Sequence, residues 1–297
     1  MYIGRDDMEK DLLYGVHYAD FALLCELDRI CKKHNIQYFL IAGTLLGAVR
    51  HGDFIPWDDD VDIALRRADY DKLMQIIDSE LGEKFEHINP HTDKAFFDAI
   101  SKINYKESVM RTPTDEDKYY ENHHNKVALD LFVLDNACDG FRYTLQLAML
   151  KMLYGFAMAH RYKTDYKKYS FGEKVKVFVL SNIGRLFSTS RIMKWYDKVS
   201  LWGSDKGEEC FISNDQFKNI AKRYKKTWFD GTSTVTIRGR EFPAPIGKEG
   251  MLTVVYGDYM TPPPKNEQMP LHIEKLQEVQ VFDNGVLICQ EETEINS

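Results

Sequence analysis

Four aspartates crowd into five positions, Asp58, Asp59, Asp60 and Asp62, where a loop enters the apolar stretch VDIAL at 61–65. No other feature limits the fold as much. Alternate residues of a strand point to one face. A strand here holds the carboxylates of Asp60 and Asp62 side by side while Val61 and Ile63 face a core. Like charges that close repel and push one carboxyl toward its neutral form. A hard divalent cation removes the conflict, and carboxylate oxygens suit Mg²⁺ or Mn²⁺.

Upstream, the apolar run 36–42 (IQYFLIA) reads as a buried strand ending at Gly43, and 44–50 (TLLGAVR) as a short helix. Glycine lets backbone approach a phosphate, and N–H groups at a helix start bind anions. Strand, Gly43-Thr44 turn, helix and D-x-D strand together form a phosphate-plus-metal arrangement. The third carboxylate is expected from Asp130, a charge inside the otherwise apolar run VALDLFVL at 127–134. An acid there is costly unless it faces a site. Asp135 is the second choice, because at the strand end it also reads as a turn residue.

Apolar spacing at Leu23, Leu24, Leu27, Ile30 and Cys31 predicts a helix over 10–34, closed by Lys32-Lys33 and broken at Asn35. Further helices are expected at 70–81, through 141–200 and at 246–256. A strand pair is expected at 233–243, and a hairpin at 279–289 around Asn284-Gly285. This order predicts an α/β (α+β) fold: a mixed sheet flanked by helices, a helical basic segment and a β-containing C-terminal part. The divisions are 1–140 for the catalytic core, 141–232 for the helical basic region, and 233–297 for a segment packing back on the core as one integrated unit.

The net charge of −7 is a poor match for general nucleic-acid binding, which needs a basic face. It is also unevenly spread. Residues 141–200 hold twelve Lys or Arg against Asp165, Glu173 and Asp197, so this block is +9 and the rest of the chain −16. Two readings stand for the block: a solvated helical face, or a surface that meets an anionic acceptor or an anionic membrane. Tyr162, Tyr166 and Tyr169 interleave its cations. The five scattered cysteines, Cys25, Cys31, Cys138, Cys210 and Cys289, form no staple framework and fit a reducing compartment. The acidic start MYIGRDDMEKDLL is unlike a signal peptide. The most apolar stretch, 143–159, carries Gln146 and Lys151 and is too polar to span a bilayer. A cytoplasmic protein is expected, peripheral at the inner face of the membrane if the basic block docks there.

The segment GTLLGAVRHGDFIPWDDDVDIAL at 43–65 resembles the signature of the LicD/fukutin family within the nucleotidyltransferase superfamily. The matching positions are Gly43, Thr44, Leu45, Leu46, Gly47, Arg50, Ile55, Pro56, Trp57, Asp58, Asp59, Asp60 and Asp62. The run LDLFVLD at 129–135 is similar to the family's later strand acid, with Val133 where proline is usual. Pro243, Pro245, Leu252, the YGDYM run at 256–260 and Pro262-Pro263 are similar to its tail.

The resemblance implies a nucleotidyltransferase-type mixed sheet and an enzyme that transfers a phospho-alcohol from a CDP-activated donor to a glycan. The transferred group is expected to be phosphocholine from CDP-choline. The acceptor would be a cell-surface glycan precursor such as teichoic acid or lipopolysaccharide, lipid-linked or free, and CMP would leave. Phosphoribitol or phosphoglycerol transfer, NTP-dependent nucleotidyl transfer and a non-enzymatic metal-dependent glycan-binding module are the alternatives. On this reading Asp60 and Asp62 bind Mg²⁺ or Mn²⁺, and Asp130 binds metal or acts as base. Gly43 and Thr44 position a phosphate. Arg50, His51, Trp57 and Lys102 are candidate substrate contacts: Arg50 and Lys102 for phosphate, Trp57 as a box for a choline cation. The alternatives are an ion pair of Arg50 with the same acidic run, an incidental loop His51, a packing role for Trp57 and a solvated strand face for Lys102. Asp58 and Asp59 are expected behind the metal ligands or in solvent. His123-His124 is not expected to bind metal, since adjacent side chains diverge.

Overall fold

A computed structural model describes residues 13–93, 98–203, 209–273 and 276–288. The acidic N-terminus and Cys289 lie outside them. Helix α1 (Tyr14–His34) buries Leu23, Leu24, Leu27, Ile30 and Cys31. It ends where Asn35, in the left-handed conformation, donates its N–H to the carbonyls of Cys31 and Lys32. Strand β1 (Tyr38–Leu40) is shorter than the apolar run predicts, because Ile41 and Ala42 turn straight into α2 (Ala42–Arg50). Then come β2 (Val61–Arg66), α3 (Arg67–Glu80), β3 (Phe85–Ile88), β4 (Ser101–Tyr105), β5 (Ser108–Val109), α4 (Asp115–Tyr119) and β6 (Ala128–Asn136).

Among the described residues of 141–232 the α-helices end at Ser200: α5 (Gly140–Ala157), α6 (Phe171–Gly184) and α7 (Thr189–Ser200), with a short 3-10 turn at Lys226–Phe229. The chain then returns to the sheet through β7 (Cys210–Ser213) and β8 (Tyr224–Lys225). The remaining elements are β9 (Thr232–Ile237), β10 (Arg240–Pro245), α8 (Lys248–Tyr256), β11 (Gln280–Asp283) and β12 (Val286–Leu287). The β11–β12 turn is Asn284-Gly285, both at positive φ, as that dipeptide favours.

The main sheet has seven strands ordered β1-β2-β6-β4-β3, with β7 on the far end of β6 and β8 on β7. β2 and β6 are parallel, and every other pair in the sheet is antiparallel. This is the mixed α/β fold expected. One apolar core packs α1, α2 and α3 and the β9–β10 hairpin onto the sheet; a second joins α5 and α7. Asp135, the second-choice site acid, is buried at the end of β6 and takes both arms of Arg67 from α3 at 2.8 and 2.6 Å. It is part of an ion pair that ties α3 to the sheet, not of the site below. No described helix is long and apolar enough to cross a membrane.

Candidate functional site

Register brings the chemistry together. Asp62 of β2 pairs with Asp130 of β6, and Asp130 pairs in turn with Lys102 of β4. Cross-strand partners project from the same face, so the three side chains stand in a row across the three central strands. Lys102 Nζ donates to both oxygens of Asp130, at 2.7 and 3.0 Å. Asp60, just before β2, joins the row from the strand end. All four line one cavity of about 390 Å³, within the range of small-molecule sites.

Two backbone bonds fix Asp62. Its N–H donates to Thr44 Oγ1 at 2.8 Å, and its carbonyl accepts from Ile41 N at 3.2 Å. Thr44 is buried and stands outside the cavity lining, where Ile41 and Ala42 appear instead. Gly43 faces the acidic loop: a Cβ there would lie 2.1 Å from Asp58 Oδ2. Gly47, one turn on, meets the same loop, with Asp53 O and Ile55 N at 2.7 and 2.8 Å from such an atom. The Gly-x-x-x-Gly spacing thus lets the acidic loop cross α2 and deliver Asp60 and Asp62 to the sheet.

Three other expected contacts stand elsewhere. Arg50, His51 and Trp57 form a cluster outside the cavity lining. The Arg50 guanidinium lies 5.8 Å from the Trp57 ring centre and the His51 ring packs edge-on to Trp57. Arg50 also donates to His51 Nε2 and to the carbonyl of Tyr259. The cluster ties the end of α2 to the YGDYM segment. Aromatic surface in the cavity comes from Tyr224, Tyr256 and Phe132.

Burial first, and mutual repulsion second, push the acids up. Asp58 rises to about 7 and Asp62 well above the ordinary range. Asp60 rises to about 6 by burial, with His272 pulling against it and Asp130 adding to it. Asp59 behaves oppositely. Burial would raise it, but it accepts from the backbone N–H of Leu271 and His272 and from His272 Nδ1, at 3.3, 2.9 and 3.1 Å, and ends lowered. His272 is raised in return by that hydrogen bond. On α1, Asp20 is fully buried beneath this loop, and neither of its oxygens has a hydrogen-bond partner among the described residues. Burial and the charges of Asp60, Asp58 and Asp59 hold it protonated.

The lining also carries Arg111, Lys126 and Lys222, with His123 and His124, and two further acids, Asp98 and Asp215. His123 pairs with Asp93 at 2.7 Å, and His124 packs on the Tyr120 ring, its burial lowering it to about 4. The cavity therefore brings carboxylates and cations together in one lining. Among the described residues no three His, Cys, Asp or Glu side chains are grouped to hold a metal ion unaided. The carboxylate oxygens at the acidic end are crowded and mutually repelling, with His272 Nδ1 3.6 Å from Asp60. They fit a hard cation that binds one or two carboxylates and takes its other ligands from phosphate and water.

Residues 35–137 match the model of the LicD/FKTN/FKRP nucleotidyltransferase domain. The chain carries a LicD-family domain. The LicD domain thus spans β1 to β6 and holds Asp60, Asp62, Lys102 and Asp130. Beyond it, the chain is 27% identical over 257 residues to the lipopolysaccharide cholinephosphotransferase LicD of Haemophilus influenzae, covering 83% of this chain and 90% of that protein. It is 37% identical over 79 residues to the human ribitol 5-phosphate transferase FKRP, covering 27% of this chain and 16% of FKRP. An uncharacterized protein of Rickettsia prowazekii is 44% identical over 57 residues, 19% of this chain and 21% of that protein.

Several cavity residues lie outside the LicD domain and escaped the sequence reading: Asp215, Lys222, Tyr224, Tyr256 and His272. Tyr256 opens the YGDYM segment, the one signal that pointed toward it. His272 follows a Pro-rich turn with no periodicity, and only the fold brings it to Asp59.

Proposed function

We propose that this LicD-family chain is a transferase that moves phosphocholine from CDP-choline to a hydroxyl of a glycan precursor. The row Asp62–Asp130–Lys102 carries the reading, because it sets carboxylates for a divalent cation beside a cation for phosphate. The long similarity to a cholinephosphotransferase supports choline over ribitol, for which the similarity is confined to 79 residues. Tyr256 and Tyr224, beside an acidic wall, suit a quaternary ammonium.

Asp60 and Asp62 would hold Mg²⁺ or Mn²⁺, which supplies charge neutralisation at the diphosphate. Lys102, Arg111, Lys126 and Lys222 draw the phosphates toward the acids. The acceptor oxygen attacks the phosphorus bearing choline, the bond from that phosphorus to the CMP oxygen breaks, and CMP departs. A carboxylate of the row, with Asp130 the first choice, takes the hydroxyl proton. Attack at the other phosphorus would transfer the nucleotide instead.

The test is a panel of CDP-choline, CDP-ribitol, CDP-glycerol and NTPs with Mg²⁺, scoring CMP and pyrophosphate. CMP release from CDP-choline is expected, reduced by about a thousandfold or more in Asp62→Asn. Tyr256→Ala is expected to raise KM for CDP-choline while leaving kcat within a few-fold. Pyrophosphate release from an NTP, or full turnover by Asp62→Asn, overturns the reading.

A further inference from the structure

We propose that α6 is a docking helix that lies on an anionic lipid bilayer. Its inward side is set by contacts with α5. A Cβ on Gly155 would lie 2.7 Å from Leu180, and one on Gly184 would lie 2.3 Å from the Phe156 carbonyl. Leu180, Ser181 and Gly184 therefore face the protein. The other side is bare: Phe171 is 84% exposed, Phe178 60%, Val175 51% and Val179 46%. At 3.6 residues per turn these four and Ile183 form one stripe. Leu186 (75% exposed), in the turn that follows, extends it.

An exposed apolar stripe on a helix, here broken at Asn182, marks an interaction surface. Its edges say what covers it. Lys176 borders one edge of the stripe, and Lys174 and Arg185 border the other, all exposed. The segment leading into α6 adds Lys163, Lys167 and Lys168, with the exposed rings of Tyr162 and Tyr166. A stripe of Phe and Val between rows of cations, next to tyrosines, is the pattern of a helix lying in a membrane interface. The positive charge complements anionic headgroups and stands out in a chain that is −16 outside 141–200. A second copy of the chain fits poorly, since packing the stripe on itself by a two-fold sets cations against cations. At fourteen residues α6 is about 21 Å long, too short to cross a hydrocarbon core of about 30 Å, so it lies on the surface.

The placement also has a geometric consequence for the site. Tyr162 N donates to Tyr120 Oη at 2.5 Å, and the Tyr120 ring packs at a tilt, 4.7 Å between ring centres, on His124 of the cavity lining. The docking segment is thus tied to the cavity by two residue contacts, and membrane binding would hold the cavity beside the bilayer.

Co-sedimentation of the full chain with phosphatidylcholine vesicles, and with the same vesicles enriched in phosphatidylglycerol, tests this. The wild-type chain is expected to bind the anionic vesicles about tenfold better, and less well in high salt. Phe171→Glu with Phe178→Glu should weaken binding by about tenfold or more with an unchanged circular dichroism spectrum and hydrodynamic size. Lys174→Gln, Lys176→Gln and Arg185→Gln together should erase the preference for anionic lipid. Wild-type protein that stays in solution with both vesicles overturns the proposal. So does unweakened binding by the Glu pair, or a wild-type dimer that the Glu pair splits, which would assign the face to a second copy. Lipid binding is read without turnover, so a wild type that binds vesicles yet releases no CMP overturns only the transferase reading.

Discussion

Asp20→Asn should stabilise the protein, and by an amount that grows with pH. Asp20 is fully buried on α1, without a hydrogen-bond partner among the described residues, beneath Asp58, Asp59 and Asp60. Burial is the largest cause holding its carboxyl well above the ordinary value of 3.8. An acid whose folded pKa is raised imposes no penalty below its unfolded pKa, because both states are then protonated. Above it the unfolded chain releases the proton and the fold does not, so stability falls by about 1.4 kcal/mol per pH unit until the folded pKa is reached. From 3.8 to pH 7 that amounts to at most about 4 kcal/mol, against a typical total of about 5–15 kcal/mol. The amide is nearly isosteric and cannot ionise, and it leaves the same unbonded polar atoms as the neutral acid. Urea unfolding of both proteins should coincide near pH 4 and diverge steadily toward pH 7, with equal m-values. A stability gap that is constant across that range, or a variant less stable at pH 7, would refute the reasoning.

Two further substitutions probe the same region. Lys102→Met leaves Asp130 and Asp62 facing each other without a cation, and should cost about 3 kcal/mol near neutral pH. Added Mg²⁺ should restore part of the loss in thermal melts. Gly47→Ala should lower the melting temperature more than Gly43→Ala, about 3 against about 1 kcal/mol, because its methyl meets the backbone of Asp53 and Ile55 while the other meets only the Asp58 carboxylate. The reverse order would show that the loop yields more readily than the side chain.

Local signals were legible where one short stretch of chain carries them. The period of α1, the Asn284-Gly285 turn and the alternation through Asp60 and Asp62 depend on neighbours a few positions away. Predictions failed where the partner is distant. The apolar run at 36–42 has no marker for Ile41 and Ala42 leaving the strand. Residues 210–213 are a short, unremarkable string until β6 offers them an edge. For Trp57 and Arg50 the sequence leaves ligand contact and packing both open, and only the fold sets the Arg50 guanidinium over the Trp57 ring and on the Tyr259 carbonyl.

From the sequence alone came the mixed α/β class, the acidic loop entering an apolar strand, Asp130 as a charge within another strand, and the likeness to the LicD/fukutin signature. Each rests on residue chemistry at short spacing, which a linear chain displays directly. Tertiary structure decided the rest. The pairing of Asp62 with Asp130 and of Asp130 with Lys102 is a matter of strand register. The gathering of Arg111, Lys126 and Lys222 in the cavity lining, and His272 held on Asp59 from more than two hundred residues away, arise from chain crossings that no local pattern encodes. The bare apolar stripe of α6 is decided in the same way: the sequence marks 141–200 as a basic helical block, and only the fold shows which side of α6 is packed and which is left exposed.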